Sequence, residues 1–172
     1  TDGVILKGGA TYTRSTTETG FELFAVKNGS YVNQGQLKVA AYNNYDETAE
    51  AHLTPDLKVL IMGIETDFSQ GGSDLYFAQQ KEDGTYGFLQ NMGKVINSAA
   101  DEGMCQLLSD TKTLLFSSNG FSAFGSYDLF VSYRLDDTWK NWSEPINLGP
   151  KINTIYSDRS PFLHPDMKTL YF

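Results

Sequence analysis

The chain has 172 residues, which is enough for one domain with a hydrophobic core. Its formal net charge of -8, without any run of basic residues, excludes a protein that binds nucleic acid or an anionic membrane through a basic patch. With 40% hydrophobic and only 20% charged residues the chain is not of the disordered class, and its single cysteine excludes an intramolecular disulfide.

Internal repetition organises the sequence. Leu60, Leu114 and Leu170 are separated by 54 (114 − 60) and 56 (170 − 114) residues. Three further features recur at similar spacing. A strand signature that begins with an acid occurs at Glu22-Leu23-Phe24, Asp74-Leu75-Tyr76 and Asp128-Leu129-Phe130, and an acidic marker occurs at Asp46-Glu47, Asp101-Glu102 and Asp158-Arg159. A segment that ends in Asn-Ser or Asn-Thr occurs at 92–98 and 148–154. The sequence therefore predicts repeats at approximately 1–45, 46–98 and 99–154, and the start of another at 155–172.

The first repeat is the weakest copy. It begins in what is a second strand elsewhere, with Ile5 near the position of the aligned leucines. Asn28-Gly29 predicts a hairpin turn, because both residues tolerate positive φ. Tyr31 then marks the start of an outermost strand.

The two central repeats each read as four strands. The first follows the acidic marker, and a type I turn at 55–58 or 109–112 leads to an apolar second strand at 59–62 or 113–116. The third strand is predicted at 74–79 or 127–133. The fourth is the outermost and carries Tyr86, or Trp139 and Trp142, near its start.

The last segment repeats the first strand and the second strand, ending at Phe172. Four short strands in units of roughly 55 residues, without helical periodicity, predict an all-β fold of β-propeller blades. Propellers close with roughly four to eight blades, so about three repeats predict part of a larger propeller. Leu60, Leu114 and Leu129 are expected to be buried between neighbouring blades.

The segments 117–134, 142–154 and 161–172, reading SSNGFSAFGSYDLFVSYR, WSEPINLGPKINT and PFLHPDMKTLYF, resemble the TolB-like, WD-repeat-like propeller repeat of Bacteroidota cell-envelope proteins. In that family the repeat accompanies OmpA-like domains, including in a periplasmic lipoprotein of type IX secretion. The resemblance implies a periplasmic, outer-membrane-associated scaffold that docks an envelope protein. It also implies that peptidoglycan is bound only through a separate domain, and that this segment does not insert into the membrane.

Residues for catalysis are not indicated, and no cofactor is expected. His52 and His164 fall at different points of the repeat, and no nucleophile motif such as G-x-S-x-G accompanies them. Their spacing also lacks a paired metal-ligand pattern. We therefore expect a protein that is not an enzyme. The propeller domain of a hydrolase is the least favoured alternative.

The recurrent acids Asp46, Asp101 and Asp158 each precede a first strand, the strand that lines the channel of a propeller. We expect them at one channel mouth. There they either accept backbone N–H bonds that fix the blades, which is the favoured interpretation, or bind a glycan, peptide or cation. Trp142 and Phe121 are candidate contacts for a protein partner, since one tryptophan of the pair Trp139 and Trp142 is expected to be exposed.

Overall fold

The computed structural model describes residues 3–8 and 13–172. Every regular element within these ranges is a β-strand. The described part of the chain therefore contains no helix long and apolar enough to cross a membrane. The predicted all-β fold class is confirmed.

The strands of the described residues are short except for one long hairpin near the start. In chain order they are β1 (Gly3–Gly8), β2 (Thr13–Lys27), β3 (Ser30–Asn44), β4 (Glu50–Leu53), β5 (Val59–Ile64), β6 (Asp74–Gln79), β7 (Gln90–Asn91), β8 (Glu102–Leu107), β9 (Thr113–Ser118), β10 (Asp128–Tyr133), β11 (Ile146–Asn147), β12 (Phe162–Leu163) and β13 (Leu170–Tyr171).

The described strands form four sheets, and each sheet uses consecutive strands in antiparallel order. Sheet 1 is β1-β2-β3, sheet 2 is β4-β5-β6-β7, sheet 3 is β8-β9-β10-β11 and sheet 4 is β12-β13. Each sheet lies within one of the predicted repeat ranges. Sheets 2 and 3 have the predicted four strands, although β7 and β11 are only two residues long.

One turn closes the first hairpin of sheets 2, 3 and 4. Its last residue is Leu57, Thr111 or Met167, with φ of 60°, 56° and 57°. In the middle copy the Asp110 carboxylate accepts N–H bonds from Lys112 and Thr113 at 2.8 and 2.9 Å. A type I turn followed by a left-handed residue is a common three-residue hairpin loop, and the Asp side chain stabilises it.

Sheet 2 is covered on both faces. Alternate residues of β5 point to opposite sides: Leu60, Met62 and Ile64 pack towards sheet 1, whereas Val59 and Ile61 pack towards sheet 3. This alternation explains why the predicted second strand is apolar throughout: it lies between two hydrophobic layers.

We number the hydrophobic layers by the sheets they join. The first layer joins sheets 1 and 2, the second joins sheets 2 and 3, and the third joins sheet 3 to β12 and β13. Leu60 lies in the first layer and Leu114 in the second, while Leu129 lies in β10. All three leucines are fully buried, which confirms the prediction for their side chains.

Sheet 1 has three strands, as expected of a repeat that begins in its second strand, but its proportions differ from those of sheets 2 and 3. Its strands β2 and β3 are 15 residues long each and form a hairpin with several register shifts. Sheet 2 has a loop at 65–73 that is anchored by the buried carboxylate of Asp74. The matching signature in sheet 1 begins with Glu22, and the preceding residues are rich in threonine, which favours an extended strand.

Candidate functional site

The loops at one end of the sheets differ in character from those at the other. The turn end holds the tight hairpin turns, including 54–58, 108–112 and 164–168. The loop end holds the longer segments that enter the first strands, connect second to third strands and follow the fourth strands: 45–49, 65–73, 92–101, 119–127 and 148–161. Because functional residues concentrate on longer loops, the loop end is the favoured place for a site.

Repeated asparagines hold the loop end together. Asn97 accepts the N–H of Leu75 and donates to its carbonyl, both at 2.9 Å. Asn153 makes the same pair of bonds with Leu129, at 2.8 and 3.0 Å. Both amides are buried, and they supply the acceptor for the N–H of Leu75 and of Leu129, while the carbonyls of these leucines also accept from Met92 N and Leu148 N. Since the same contacts occur in two sheets, these residues belong to the fold.

The acids that open the third strands have a similar structural part. Asp74 and Asp128 are fully buried. Each accepts two hydrogen bonds, one from a backbone N–H of its own loop at 2.8 Å and one from the side-chain amide of an asparagine in the fourth strand. The donors to Asp74 are Gln70 and Asn91, and the donors to Asp128 are Phe124 and Asn147. Burial raises the pKa of Asp74, and these hydrogen bonds oppose that effect.

The acidic marker is shifted by one residue in its last copy. Glu102 N donates to Ser73 O at 2.7 Å, and Asp158 N donates to Tyr127 O at 2.8 Å. Ser73 and Tyr127 both stand directly before a third strand. Asp158 is therefore the counterpart of Glu102, not of Asp101.

The side-chain contacts of Asp158 agree with this alignment. Its carboxylate accepts from the backbone N–H of Thr154 at 2.6 Å and from the threonine hydroxyl. Glu102 accepts from the N–H and hydroxyl of Ser98 at 2.7 and 2.6 Å. Both acids are buried and stabilise their loops, which is the structural role expected for such acids.

The other two predicted acids, Asp46 and Asp101, line one cavity of about 140 Å³ at the loop end. We call it the polar cavity. Ser73 joins them: its hydroxyl donates to Asp46 at 2.8 Å and its N–H donates to Asp101 at 3.2 Å. The structure thus brings Asp46 and Asp101 together, whereas Asp158 is not part of the lining. Their role as ligand-binding acids stays a prediction.

Three further charged residues line the polar cavity: Glu50, Glu102 and Arg159. Glu50 accepts the N–H of Met104, and its carboxylate occupies the space that a Cβ at Gly103 would take. Burial raises the pKa of Glu50, while the Met104 bond and the charge of Arg159 oppose the rise. The Arg159 guanidinium lies 3.5 Å from the ring centre of Tyr127.

Tyr127 connects this cation to the acids. Its hydroxyl donates to Asp101 at 2.8 Å. Burial and this hydrogen bond raise the pKa of Tyr127 to about 12, so it stays a neutral donor at physiological pH. Among residues 3–8 and 13–172 no group of three or more His, Cys, Asp and Glu side chains is arranged to hold a metal ion.

The polar cavity is built at positions where the repeats differ. The counterpart of Asp101 is Ser157, one residue before Asp158. Glu50 pairs with Gly63 in sheet 2, and Gly103 pairs with Ser117, the equivalent of Gly63, in sheet 3. The counterpart of Glu50 in sheet 3 is therefore Gly103. The fold therefore does not require these side chains.

The two histidines lie apart. His52 Nε2 reaches the carbonyl of Leu107 across the second layer at 3.2 Å, and burial lowers its pKa. Its counterpart in sheet 3, Gln106, bonds to the backbone of Leu163 in the same way. His164 lies at the turn end, 3.2 Å from an Asp166 oxygen. His52 has a structural contact, and the pair does not form a common site.

Both tryptophans are buried in the second layer. Trp139 is 7% and Trp142 is 3% exposed, and Trp142 Nε1 donates to the Trp139 carbonyl at 2.9 Å. Trp139 stacks on Phe77 of the neighbouring sheet, with ring centres 6.0 Å apart. The prediction that one tryptophan is exposed for a partner is wrong, and Trp142 does not offer its ring to one, because both indoles are needed to fill this layer.

Phe121 is half-buried. Its ring centre lies 5.4 Å from that of Phe130 and 6.3 Å from that of Phe116, both in the second layer. Most of this candidate partner contact is therefore committed to the core. The more exposed aromatic residue of the same loop is Phe124, at 51%.

Phe124 lies on a loop that is hydrogen-bonded to a second loop with exposed apolar residues. Ser126 N donates to Tyr156 O at 2.9 Å and so joins the loop of Phe124 to the loop of Ile155 and Tyr156. Ile155 and Tyr156 are 75% and 74% exposed. We call Phe124, Ile155 and Tyr156 the apolar patch.

The apolar patch is also absent from the preceding repeat. There Gly72 N donates to Ala100 O at 3.1 Å, the same link between loops. The residues at the three matching positions are polar or small: Gln70, Ala99 and Ala100. An identical backbone arrangement thus exists without exposed apolar side chains.

No family model matches the sequence, and no curated protein or solved structure matches it. The family suggested by the repeat therefore stays a prediction.

Proposed function

We propose that this chain is a segment of a β-propeller of the TolB-like, WD-repeat-like kind, and that it serves as a non-catalytic scaffold docking a protein partner in the periplasm of a Gram-negative bacterium. Sheets 2 and 3 support the propeller: they are four-stranded meanders that pack face to face in chain order. The envelope location is supported by the repeat resemblance alone.

The apolar patch is the observation that carries the docking function. Its three side chains are 51–75% exposed, and the same backbone in the preceding repeat carries Gln and Ala instead. Folding does not need these side chains, yet they leave a large apolar area in water. Exposed apolar side chains that are gathered on two hydrogen-bonded loops are a common feature of sites of protein contact.

The energetics fit a protein partner. Burying a large apolar side chain contributes roughly 1.5–3 kcal/mol relative to leaving it exposed. Three such side chains are enough to anchor the centre of an interface, in which few residues dominate the binding energy. The net charge of -8 favours a partner that is neutral or basic on its contact surface.

The experiment replaces the apolar patch with the chain's own alternative residues, Phe124→Gln, Ile155→Ala and Tyr156→Ala together. The wild-type chain is used to capture and identify a partner from envelope extract, and the purified pair is then titrated. We expect at least a tenfold weaker affinity for the triple variant. The control, Leu135→Ser with Met167→Ser, changes residues of similar exposure, 60% and 61%, at the turn end and should bind like the wild type.

An unchanged affinity of the folded triple variant for the identified partner would contradict docking at the apolar patch. Equal loss in the turn-end control would show that any exposed apolar residue matters, and would also count against it.

A second candidate function is binding of a small ligand, a glycan, peptide or cation, in the polar cavity. It is favoured by the convergence of Asp46, Asp101 and Arg159 on one 140 Å³ space. At the matching positions of other sheets the repeats carry different residues. We rank it second because Asp46 and Asp101 accept hydrogen bonds from Ser73, and Asp101 also accepts from Tyr127.

A further inference from the structure

The first layer is open at the loop end. A cavity of about 310 Å³ lies there between β3 and sheet 2, and we call it the interlayer cavity. Tyr42, Ile64 and Tyr76 of the core form its buried side. Phe68 and Phe88 stand at its rim and are 78% and 73% exposed.

The second layer is closed at the matching place by an aromatic ring. Phe121 leaves the loop between β9 and β10 and packs on Phe116 and Phe130, with ring centres 6.3 and 5.4 Å away. Phe130 is the counterpart of Tyr76, because both pair with the asparagine of the fourth strand, Asn147 and Asn91 respectively. The two layers thus have the same construction up to this ring.

Asp67 stands in the first layer where Phe121 stands in the second. The side chain of Asn91 donates to Phe68 O at 3.4 Å, and that of Asn147 donates to Ser122 O at 3.2 Å, which aligns Phe68 with Ser122. The preceding residues, Asp67 and Phe121, are therefore counterparts.

The residue at this position leaves the first layer unfilled. The Asp67 carboxylate turns to the Tyr45 hydroxyl at 2.8 Å and the Asn43 amide at 3.4 Å. It contributes no ring to cover the core, and this is why the interlayer cavity remains. The rim residues also differ between the two layers. Phe68 and Phe88, which are aromatic, correspond to the polar residues Ser122 and Glu144 in sheet 3.

We infer that the interlayer cavity binds an aromatic side chain presented by a neutral or basic peptide segment of a partner protein. The chain itself supplies the precedent, since Phe121 occupies the equivalent space in the second layer. A cavity of roughly 150 Å³ is enough to hold benzene, so about 310 Å³ accommodates a Phe, Tyr or Trp ring. Phe68 and Phe88 extend the contact to the flanks of that ring.

Charge decides the flanking residues of the peptide. The chain carries a net charge of -8, and Asp67 itself lines the cavity. An acidic segment is therefore repelled, and a neutral or basic one is not. The inference rests on the proposed docking function, but it uses a surface that does not include the apolar patch.

The test titrates the isotope-labelled 172-residue chain with the peptide acetyl-Lys-Ser-Phe-Ser-Lys-amide and follows backbone amide signals by NMR. Saturable shifts confined to residues 41–43, 64–68 and 88–89 are expected. A peptide with Ala for Phe should give no saturable shift, and one with Glu for both Lys should bind at least threefold more weakly. Shifts that map elsewhere, or equal shifts with the Ala peptide, overturn the inference.

The matched variant is Asp67→Phe, which builds the ring of the second layer into the first. It should lower the affinity for the peptide at least tenfold. Should it fail to fold, the rim exchange Phe68→Ser with Phe88→Glu, which uses the counterparts from sheet 3, should lower the affinity at least fivefold. A folded Asp67→Phe chain, or failing that a folded rim variant, that binds like the wild type overturns the inference.

The apolar-patch triple variant separates this inference from the proposed function. It should bind the peptide within twofold of the wild type while losing the envelope partner. A result in which the triple variant also loses the peptide means that the peptide sits on the apolar patch, and this overturns the interlayer cavity as its site without removing the docking function.

Discussion

Sheets 2 and 3 are two copies of one four-stranded plan within a single chain, and they differ most at the loop end. Their strands pair in matching register, and buried asparagines make the same bonds in both. At the loop end, matching positions carry different residues: Gln70 in sheet 2 corresponds to Phe124 in sheet 3, and Asp67 in sheet 2 corresponds to Phe121 in sheet 3. Side chains that repeat hold the fold, and Phe124 and Asp67 are among those that differ and lie at a candidate contact surface.

The comparison also separates a closed layer from an open one. The second layer is capped by Phe121 at the loop end and filled by Trp139 and Trp142 further out. The first layer has Asp67 in place of the cap and a 310 Å³ cavity below it. At this place one aromatic residue therefore makes the difference between a covered core and a recess that can receive a ring from outside.

The largest expected effect lies in the part that repeats. Leu60→Ala and Leu114→Ala should each lower the free energy of unfolding by roughly 2–5 kcal/mol, because each removes a fully buried side chain and leaves a cavity. The two losses should be similar, since the positions are counterparts. Urea denaturation monitored by circular dichroism measures both.

Leu135→Ala is the control for these core variants. Leu135 is 60% exposed, so its loss should stay within about 0.5 kcal/mol. A large loss at Leu135, or a negligible one at either core leucine, would mean that the layers have been assigned to the wrong residues.

A smaller effect is expected from the repeated polar contacts. Asn97→Ala and Asn153→Ala should each cost about 1–3 kcal/mol, because each leaves the buried backbone N–H of Leu75 or Leu129 without a partner. Thermal unfolding of both variants beside Asn141→Ala, an exposed asparagine bonded to Asp136, provides the measurement. Equal losses in all three would refute the special role of the buried pair.

Much of the fold could be predicted because its signals are local. The turn sequence around Asp110 and the apolar strand that follows it are visible within ten residues of sequence, and their recurrence fixes the strand order. The long hairpin of β2 and β3 could not be predicted in this way. In sheet 2 the buried carboxylate of Asp74 holds the loop between the second and third strands, and the described part of sheet 1 has no equivalent carboxylate. The chain of sheet 1 therefore continues as an extended hairpin.

The site was harder to predict for two physical reasons. Burial of Trp142 depends on its contact with Trp139, which in turn stacks on Phe77 of sheet 2, and composition could not show this contact with another sheet. The marker Asp101-Glu102 offers two adjacent acids, and only the backbone bond to Ser73 shows which one matches Asp158. A position-by-position comparison of the repeats would have revealed the apolar patch from sequence alone.

The smallest effect concerns His52 and Gln106, which fill one position in sheets 2 and 3 with different chemistry. Each bonds to a backbone carbonyl of the next first strand, at 3.2 Å in both cases. His52→Gln uses the residue that sheet 3 already has, so its free energy of unfolding at pH 7.5 should lie within about 0.5 kcal/mol of the wild type.

The difference between His52 and Gln106 should become visible in acid. Burial lowers the pKa of His52 below 6.5, so below that pH the unfolded chain takes up a proton that the folded chain resists. The stability contributed by neutral His52 is thus present above pH 6.5 and is lost as the pH falls towards the folded pKa. Melting curves at pH 7.5 and 5.5 should therefore show that His52→Gln loses less stability in acid than the wild type.

The reciprocal variant Gln106→His should become more sensitive to acid. It places an imidazole ring in the third layer, where Gln106 now bonds to Leu163 as His52 bonds to Leu107. If both variants follow the wild-type pH profile, the ring of His52 is open to water and the second layer is not sealed at that strand.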